Sequence, residues 1–241
     1  MADAFPDKLA KSHETLLAKF GGEKISVPED KKLVGFDGYI AAMHDADVVL
    51  LCTPPGFRPA HFAEAVKQNK QIFMEKPVAT DSPGIRSVLA TAEEAKRKKL
   101  NVVVGLQRHY QKNYREIIDR VHQGGIGDVI SGQVYWNSGG VWVNPRQPNQ
   151  TEMEYQMRNW YYFNWLCGDH IVEQHVHNID VANWVKNKYP VSAYGAGGRS
   201  IRTGKDYGGI YDSHSIEFVY DDGSVISSQC RYCTAGANRV D

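Results

Sequence analysis

Long apolar runs, cysteine and net charge are what this sequence has least of. No stretch approaches the roughly 18 consecutive apolar residues of a membrane-spanning helix, so no helical membrane span is expected and no membrane partner. The 28 Lys and Arg are balanced by 28 Asp and Glu. A chain without a basic excess lacks the electrostatic footprint of a nucleic-acid binder. Four cysteines, Cys52, Cys167, Cys230 and Cys233, in 241 residues do not make a disulfide scaffold. Met1 to Lys11 has no apolar signal core. The chain as written is therefore expected to be cytoplasmic, and an exported form would need a signal upstream. Glycine is plentiful, yet no Gly-x-Gly-x-x-Gly follows a strand and opens a helix. Gly125-Ile-Gly127 stands between a helix and a strand, the reverse order. Gly195-Ala-Gly197-Gly198 has no helical pattern after it.

What is present is ordinary globular material. Apolar residues make up 42% and charged residues 23%, close to average, and the length suits one large domain or two modest ones. The first half alternates strand-like and helix-like segments. Asp47–Cys52 and Gln71–Met74 are short apolar runs, and Asn101–Gly105 is a third; the first reads as a strand buried on both faces. Helical spacing fills Pro59–Asn69, and Ser82-Pro83 opens a helix running to about Lys99. Pro6–Phe20, Phe36–His44 and Asn113–Gln123 are also helical. Such alternation predicts βαβ units and a parallel sheet. Beyond residue 125 the pattern changes. Val129–Asn137, Pro190–Gly195, His214–Tyr220 and Ser224–Arg231 read as strands, and Asp221-Asp222-Gly223 as a hairpin turn. A Gly/Pro/Asn/Gln-rich loop from Ser138 to about Thr151 leads to the aromatic stretch Trp160–Trp165, and a helix is expected from about His170 to Lys186. The boundary falls near residue 125, giving domains 1–125 and 126–241.

Three groups of residues could carry chemistry. Ligands of open parallel sheets bind outside the carboxyl ends of the strands, and here those ends carry Thr53-Pro54-Pro55, Glu75-Lys76-Pro77 and Gln107-Arg108. Proline after Lys76 restricts its backbone to extended conformations, holding the ammonium in a defined direction. On the helix at 170–186, His170, Glu173, His177, Asp180 and Trp184 follow at spacings of three and four and are predicted to share one face. Two imidazoles and a carboxylate there suit general acid–base work; a solvated polar face is the plainer alternative. A metal site is not expected. His170-Ile-Val-Glu173-Gln-His175 misses the inverted zincin spacing by one residue, and Cys230-Arg-Tyr-Cys233 has no second pair.

Glu75-Lys76-Pro77 after a strand, with Thr53-Pro54-Pro55 and His61 one βα unit earlier, resembles the Gfo/Idh/MocA oxidoreductases. Cys167-Gly168-Asp169-His-Ile-Val-Glu173-Gln-His-Val-His177 is similar to the family's Gly-Gly-Gly-x-x-x-Asp-x-x-x-His signature, with Glu in place of Asp and one of three glycines kept. The resemblance runs from about residue 1 to 235. It implies a Rossmann-like parallel sheet that binds NAD or NADP, followed by an α+β domain with an open antiparallel sheet. It also implies a sugar or polyol substrate and a homo-oligomer at full length. Carried over residue by residue, Lys76, Glu173 and His177 would be catalytic. Asp3, Thr53, Pro54, His61, Glu75, Lys76, Gln107 and Arg108 would line the cofactor, and Trp160, Asp169 and His170 the substrate. Asp3 stands where the acidic ribose ligand would be, which favours NAD.

The missing glycine turn leads to the expectation that Met1 falls inside the Rossmann domain, with about 30–50 residues of a first βαβ unit ahead of it, and that the sheet at the other end is unfinished. The expected function is hydride transfer between a carbinol and nicotinamide. Two alternatives stand beside it. The aromatic stretch, able to stack on sugars, points to NAD-assisted glycoside cleavage. The missing phosphate turn points to a non-catalytic or sugar-binding member.

Overall fold

In a computed structural model, residues 1–234 and 236–241 are described. They form two units. The first comprises Met1–Thr53, Phe57–Val78 and Pro83–Val104, the second Pro54–Gly56, Ala79–Ser82 and Gly105–Asp241.

In the first unit the order is β1 (Ala2–Asp3), α1 (Pro6–Phe20), β2 (Leu33–Val34), α2 (Gly38–His44), β3 (Val48–Leu51), α3 (Arg58–Lys67), β4 (Gln71–Met74), α4 (Ser82–Arg97) and β5 (Val102–Val104). Strands β3, β4 and β5 lie side by side in that order, all parallel, with Val49 opposite Ile72 and Phe73 opposite Val103. β1 and β2 make a separate parallel pair. Helix α3 starts on Arg58-Pro59, where proline's missing N–H is one of the donors a helix start leaves unpaired anyway. It seats Phe62, Ala65 and Val66 against Leu51, Ile72 and Met74, and α4 adds Val88 and Ala95 to the same core. The parallel βαβ reading holds. The reading of the first run as buried on both faces does not: β3 alternates, with Val49 and Leu51 inside while Val48 and Leu50 are exposed. α3 and α4 contribute to a core that takes in Val49 and Leu51, leaving the other face of the strand bare.

The second unit runs α5 (Lys112–His122), β6 (Ser131–Ser138), α6 (Glu152–Arg158), α7 (Asn164–Cys167), α8 (Asp169–Glu173), α9 (Val176–Lys186), β7 (Ser192–Gly198), β8 (Ser213–Val219), β9 (Val225–Tyr232) and β10 (Arg239–Val240). Its open sheet has the order β10-β6-β9-β8-β7. Pairing is antiparallel except at β6–β9, which run parallel with Ser131 opposite Val225 and Ser138 opposite Tyr232. The sheet is therefore mixed. The β8–β9 hairpin turns through Asp221-Asp222-Gly223, and Gly223 takes φ 79° there. Val134, Ala182, Tyr220 and Ile226 form a core where α9 lies on the sheet, and Tyr161, Tyr162, Cys167, Ile210 and Tyr232 form another.

The helix expected from 170 to 186 is broken. The carbonyl of His170 accepts from the N–H of Gln174 at 3.0 Å and also from that of His175 at 3.2 Å. The second bond spans five residues, a π-type widening, and regular bonding resumes only with Ile179 N–H on the His175 carbonyl. The cause lies outside the helix. The wholly buried ring of His175 reaches Ser228 Oγ on β9 at 2.8 Å, and the backbone slips to let it.

Candidate active site

The carboxyl edge of the first unit is organised by a residue that the sequence reading passed over. Arg58 is 1% exposed, and its guanidinium donates to the carbonyls of Leu51 and, at 2.7 Å, Thr53. It thus ties down the end of β3 from the first turn of α3. Among the described residues its Nε has no partner. The available signal was a cation opening a helix whose inner face is otherwise apolar. Beside it His61 Nδ1 meets Thr53 Oγ1 at 3.0 Å, and the imidazole lies against Tyr39 and Phe57, centroids 4.0 and 5.9 Å away. Burial, with the Arg58 charge adding, pushes His61 down to about 4. It is neutral at pH 7 and holds Thr53 in place as a fixed polar group.

At the end of β4 the N–H of Glu75 still bonds the Leu51 carbonyl at 3.0 Å. Lys76 follows, joined to Pro77 by a cis peptide bond. Asp3 ends β1, and its Oδ1 accepts the N–H of Phe5 at 2.9 Å just ahead of α1. Thr53, Glu75, Lys76 and Asp3 therefore stand at strand ends of one unit. Pro54, Gln107 and Arg108 belong to the second unit.

In the second unit the break between α8 and α9 divides the predicted face. Asp169, at φ 72°, opens α8 after Gly168. Its Oδ1 accepts from His170 N–H at 2.5 Å, and its Oδ2 accepts from Tyr211 N–H at 2.9 Å. Burial pushes Asp169 up against those two bonds and pushes His214, 3.8 Å away on β8, down. His170, expected against substrate, has no exposed surface. Its ring lies 4.6 Å from that of Tyr232, with Tyr161 Oη and the Trp136 carbonyl at 3.4 and 3.3 Å. Burial pushes it down to about 3, so it is a neutral packing group. Burial likewise takes His175 to about 4.

Glu173 closes α8, accepting from Gln174 Nε2 at 2.6 Å. Burial, with the Glu173 carboxylate next to it, pushes the Tyr161 hydroxyl far above its ordinary value. His177, the second residue of α9, lies over Trp136, centroids 5.8 Å and planes 25° apart. The Arg108 guanidinium also lies 5.6 Å from the centre of that indole, and Arg108 Nε donates to Tyr114 Oη at 3.1 Å. Asp180 and Trp184 do share the His177 face of α9, and both meet His109, which the sequence did not single out. The aromatic stretch is largely core. Tyr161 and Tyr162 are buried, and Trp160 packs beside them against Trp142. Among the described residues no three His, Cys, Asp or Glu are grouped as for a metal ion.

The chain thus pairs a parallel βαβ unit carrying polar groups at its strand ends with an α+β unit built on a mixed sheet. Residues 4–105 match the family model described as an oxidoreductase family, Gfo/Idh/MocA, with an NAD-binding Rossmann fold. Inositol 2-dehydrogenase of Rhizobium meliloti (strain 1021) is 24% identical over 237 residues, 98% of this chain and 62% of that protein. Among solved structures, myo-inositol 2-dehydrogenase from Lactobacillus plantarum superposes with a TM-score of 0.72 at 18% identity, over 99% of this chain and 63% of the other. Scyllo-inositol dehydrogenase from Lactobacillus casei with bound NAD(H) and scyllo-inositol gives 0.70 at 18% identity, over the same shares. Residues 4–105 are thus similar to the Rossmann domain of the Gfo/Idh/MocA oxidoreductases. The chain spans about 62% of the length of the curated relative it matches along nearly all its residues.

Proposed function

We propose that the chain is part of an NAD-dependent oxidoreductase that oxidises a secondary alcohol of a sugar or polyol. The observation that carries this is the edge of the first unit, where Thr53, Glu75 and Lys76 sit at successive parallel strand ends and Asp3 at the end of β1. That donor and acceptor set fits a nicotinamide dinucleotide. The Asp3 carboxylate, fixed by Phe5 N–H, suits a ribose diol and disfavours a 2′-phosphate. The relatives named as inositol dehydrogenases support the substrate class.

When bound, the nicotinamide supplies the hydride acceptor. The chain's residues handle the proton and the charge. Hydride leaves a carbinol carbon only as the hydroxyl proton is removed, so a base must reach that oxygen. His177, almost buried on Trp136 yet on a helix start, takes that role, with Glu173 at the turn before it. In the first unit the Lys76 ammonium, whose backbone the following proline constrains, is the positive charge suited to a developing oxyanion.

The test is absorbance at 340 nm with NAD and a panel of inositols and aldoses, alongside NADH titration by fluorescence. Reduction of NAD with one polyol, lost by about 100-fold or more in Lys76→Ala and His177→Ala, is expected. NADH binding without turnover on any polyol would overturn the reading in favour of a non-catalytic member. Tyr161 and Tyr162 of the aromatic stretch are core, whereas Trp165 at its end is 43% exposed.

A further inference from the structure

We infer that His109 belongs to the acid–base apparatus, forming with Asp180 the outlet through which a proton taken up by His177 reaches solvent. This rests on the reading of His177 as the acid–base group. His177 is 6% exposed, so a proton deposited there needs a route out. The face of α9 supplies one. Asp180 follows His177 by three residues, one turn along the same side of the helix. Its Oδ2 lies 2.7 Å from His109 Nε2. The His109 ring is stacked on Trp184, a further turn along, with centroids 4.0 Å and planes 18° apart. His109 is therefore fixed from two sides while 35% of its side chain remains exposed, against 24% for Asp180. Polar groups thus lead from a buried imidazole through a half-buried carboxylate to an imidazole that water reaches. Burial raises the Asp180 carboxyl, which brings its proton affinity closer to that of imidazole, while His109 and Arg108 restrain it. Arg108 is the other charged group acting on Asp180, and it acts on His175 as well.

The transfer is a proton exchange with no change of oxidation state. The His177 imidazolium gives its proton to an Asp180 carboxylate oxygen through one water across the helical turn. His109 Nε2–H, donating to the carboxylate at rest, stays in place. Water carries the carboxyl proton from Asp180 to His109 Nδ1, and the imidazolium so formed releases that proton to bulk water. One proton enters at His177 and one leaves at His109.

The test is a ¹⁵N NMR titration of the histidine rings in this chain, as wild type, Asp180→Asn and His109→Gln, with the backbone amide spectrum as the check on folding. Removing the carboxylate charge should lower the His177 midpoint by about half a pH unit or more, and removing the titrating ring should shift it the other way. The wild-type His177 curve should also show a second inflection at the His109 midpoint, absent in His109→Gln. A contact that only pins the 107–110 turn to α9 would lower stability and leave the His177 curve unmoved. Superimposable His177 curves in folded variants would overturn the outlet. Should Asp180→Asn fail to fold, His109→Gln decides alone, since that side chain is one-third exposed. A His177→Ala chain that kept its oxidation rate would instead sink the acid–base reading itself, whatever the titration showed.

Discussion

Gly168 shows how narrow the choice of residue is where α7 meets α8. It sits at φ 78°, and a Cβ there would lie 2.8 Å from Val172 Cγ1, 2.9 Å from Val172 Cβ and 3.2 Å from Thr80 Cα. The next residue, Asp169, also takes a positive φ and is held by two backbone N–H groups. Gly168→Ala would add strain to a turn that already holds one strained residue. It should destabilise the second unit by about 1–3 kcal/mol, seen as a lower urea midpoint by tryptophan fluorescence. At this scale the sequence was a partial guide. The glycine belongs to the spacing that marked the motif, so its position was legible. Arg58 and His109 were not, because their partners are a strand-end carbonyl and a carboxylate 71 residues away. Their local composition differs from that of surface cations only at Arg58, which opens a helix with an otherwise apolar inner face.

Among the elements, β3 gives the sharpest contrast between what a run of apolar residues implies and what packing does with it. Val-Val-Leu-Leu reads as doubly buried, and the strand alternates instead. Leu51 is 4% exposed inside the core with Phe62 and Met74, whereas its neighbour Leu50 is 68% exposed. Leu51→Ala should cost about 2–5 kcal/mol, and Leu50→Thr should stay within about 0.5 kcal/mol, both by urea unfolding followed by circular dichroism. Equal losses would mean that both faces are packed. The parallel β6–β9 pair and the slip between α8 and α9 were equally beyond local reading. The first joins residues almost a hundred positions apart. The second depends on a ring on one element finding a hydroxyl on a distant strand. The βαβ alternation of the first half was legible because each strand there is followed directly by the helix that covers it.

At the scale of the whole chain, neutral buried histidines tie stability to pH. His61, His170 and His175 are held down to about 4, 3 and 4 by burial, against an ordinary value of 6.5 that the unfolded chain recovers. Between those limits the unfolded state binds more protons than the folded one, so stability is complete above about pH 6.5 and falls as the pH drops toward 4. Each group contributes at most about 1.4 kcal/mol per pH unit. Asp169 and Asp180, raised by burial, bind protons first in the folded state and offset part of this loss as the pH approaches the ordinary carboxylate range. The effect can be assigned to one unit, because all five tryptophans, Trp136, Trp142, Trp160, Trp165 and Trp184, lie in the second. Urea midpoints read by tryptophan fluorescence should fall steadily from pH 7 to pH 5. His170→Phe should flatten that dependence by removing one of its protons. His61→Phe should leave the fluorescence slope as it is and flatten only the part of the circular dichroism transition that belongs to the first unit. A fluorescence slope unchanged by His170→Phe would mean that the imidazole is already protonated in the folded state, and that the polar contacts around it, rather than burial, set its charge.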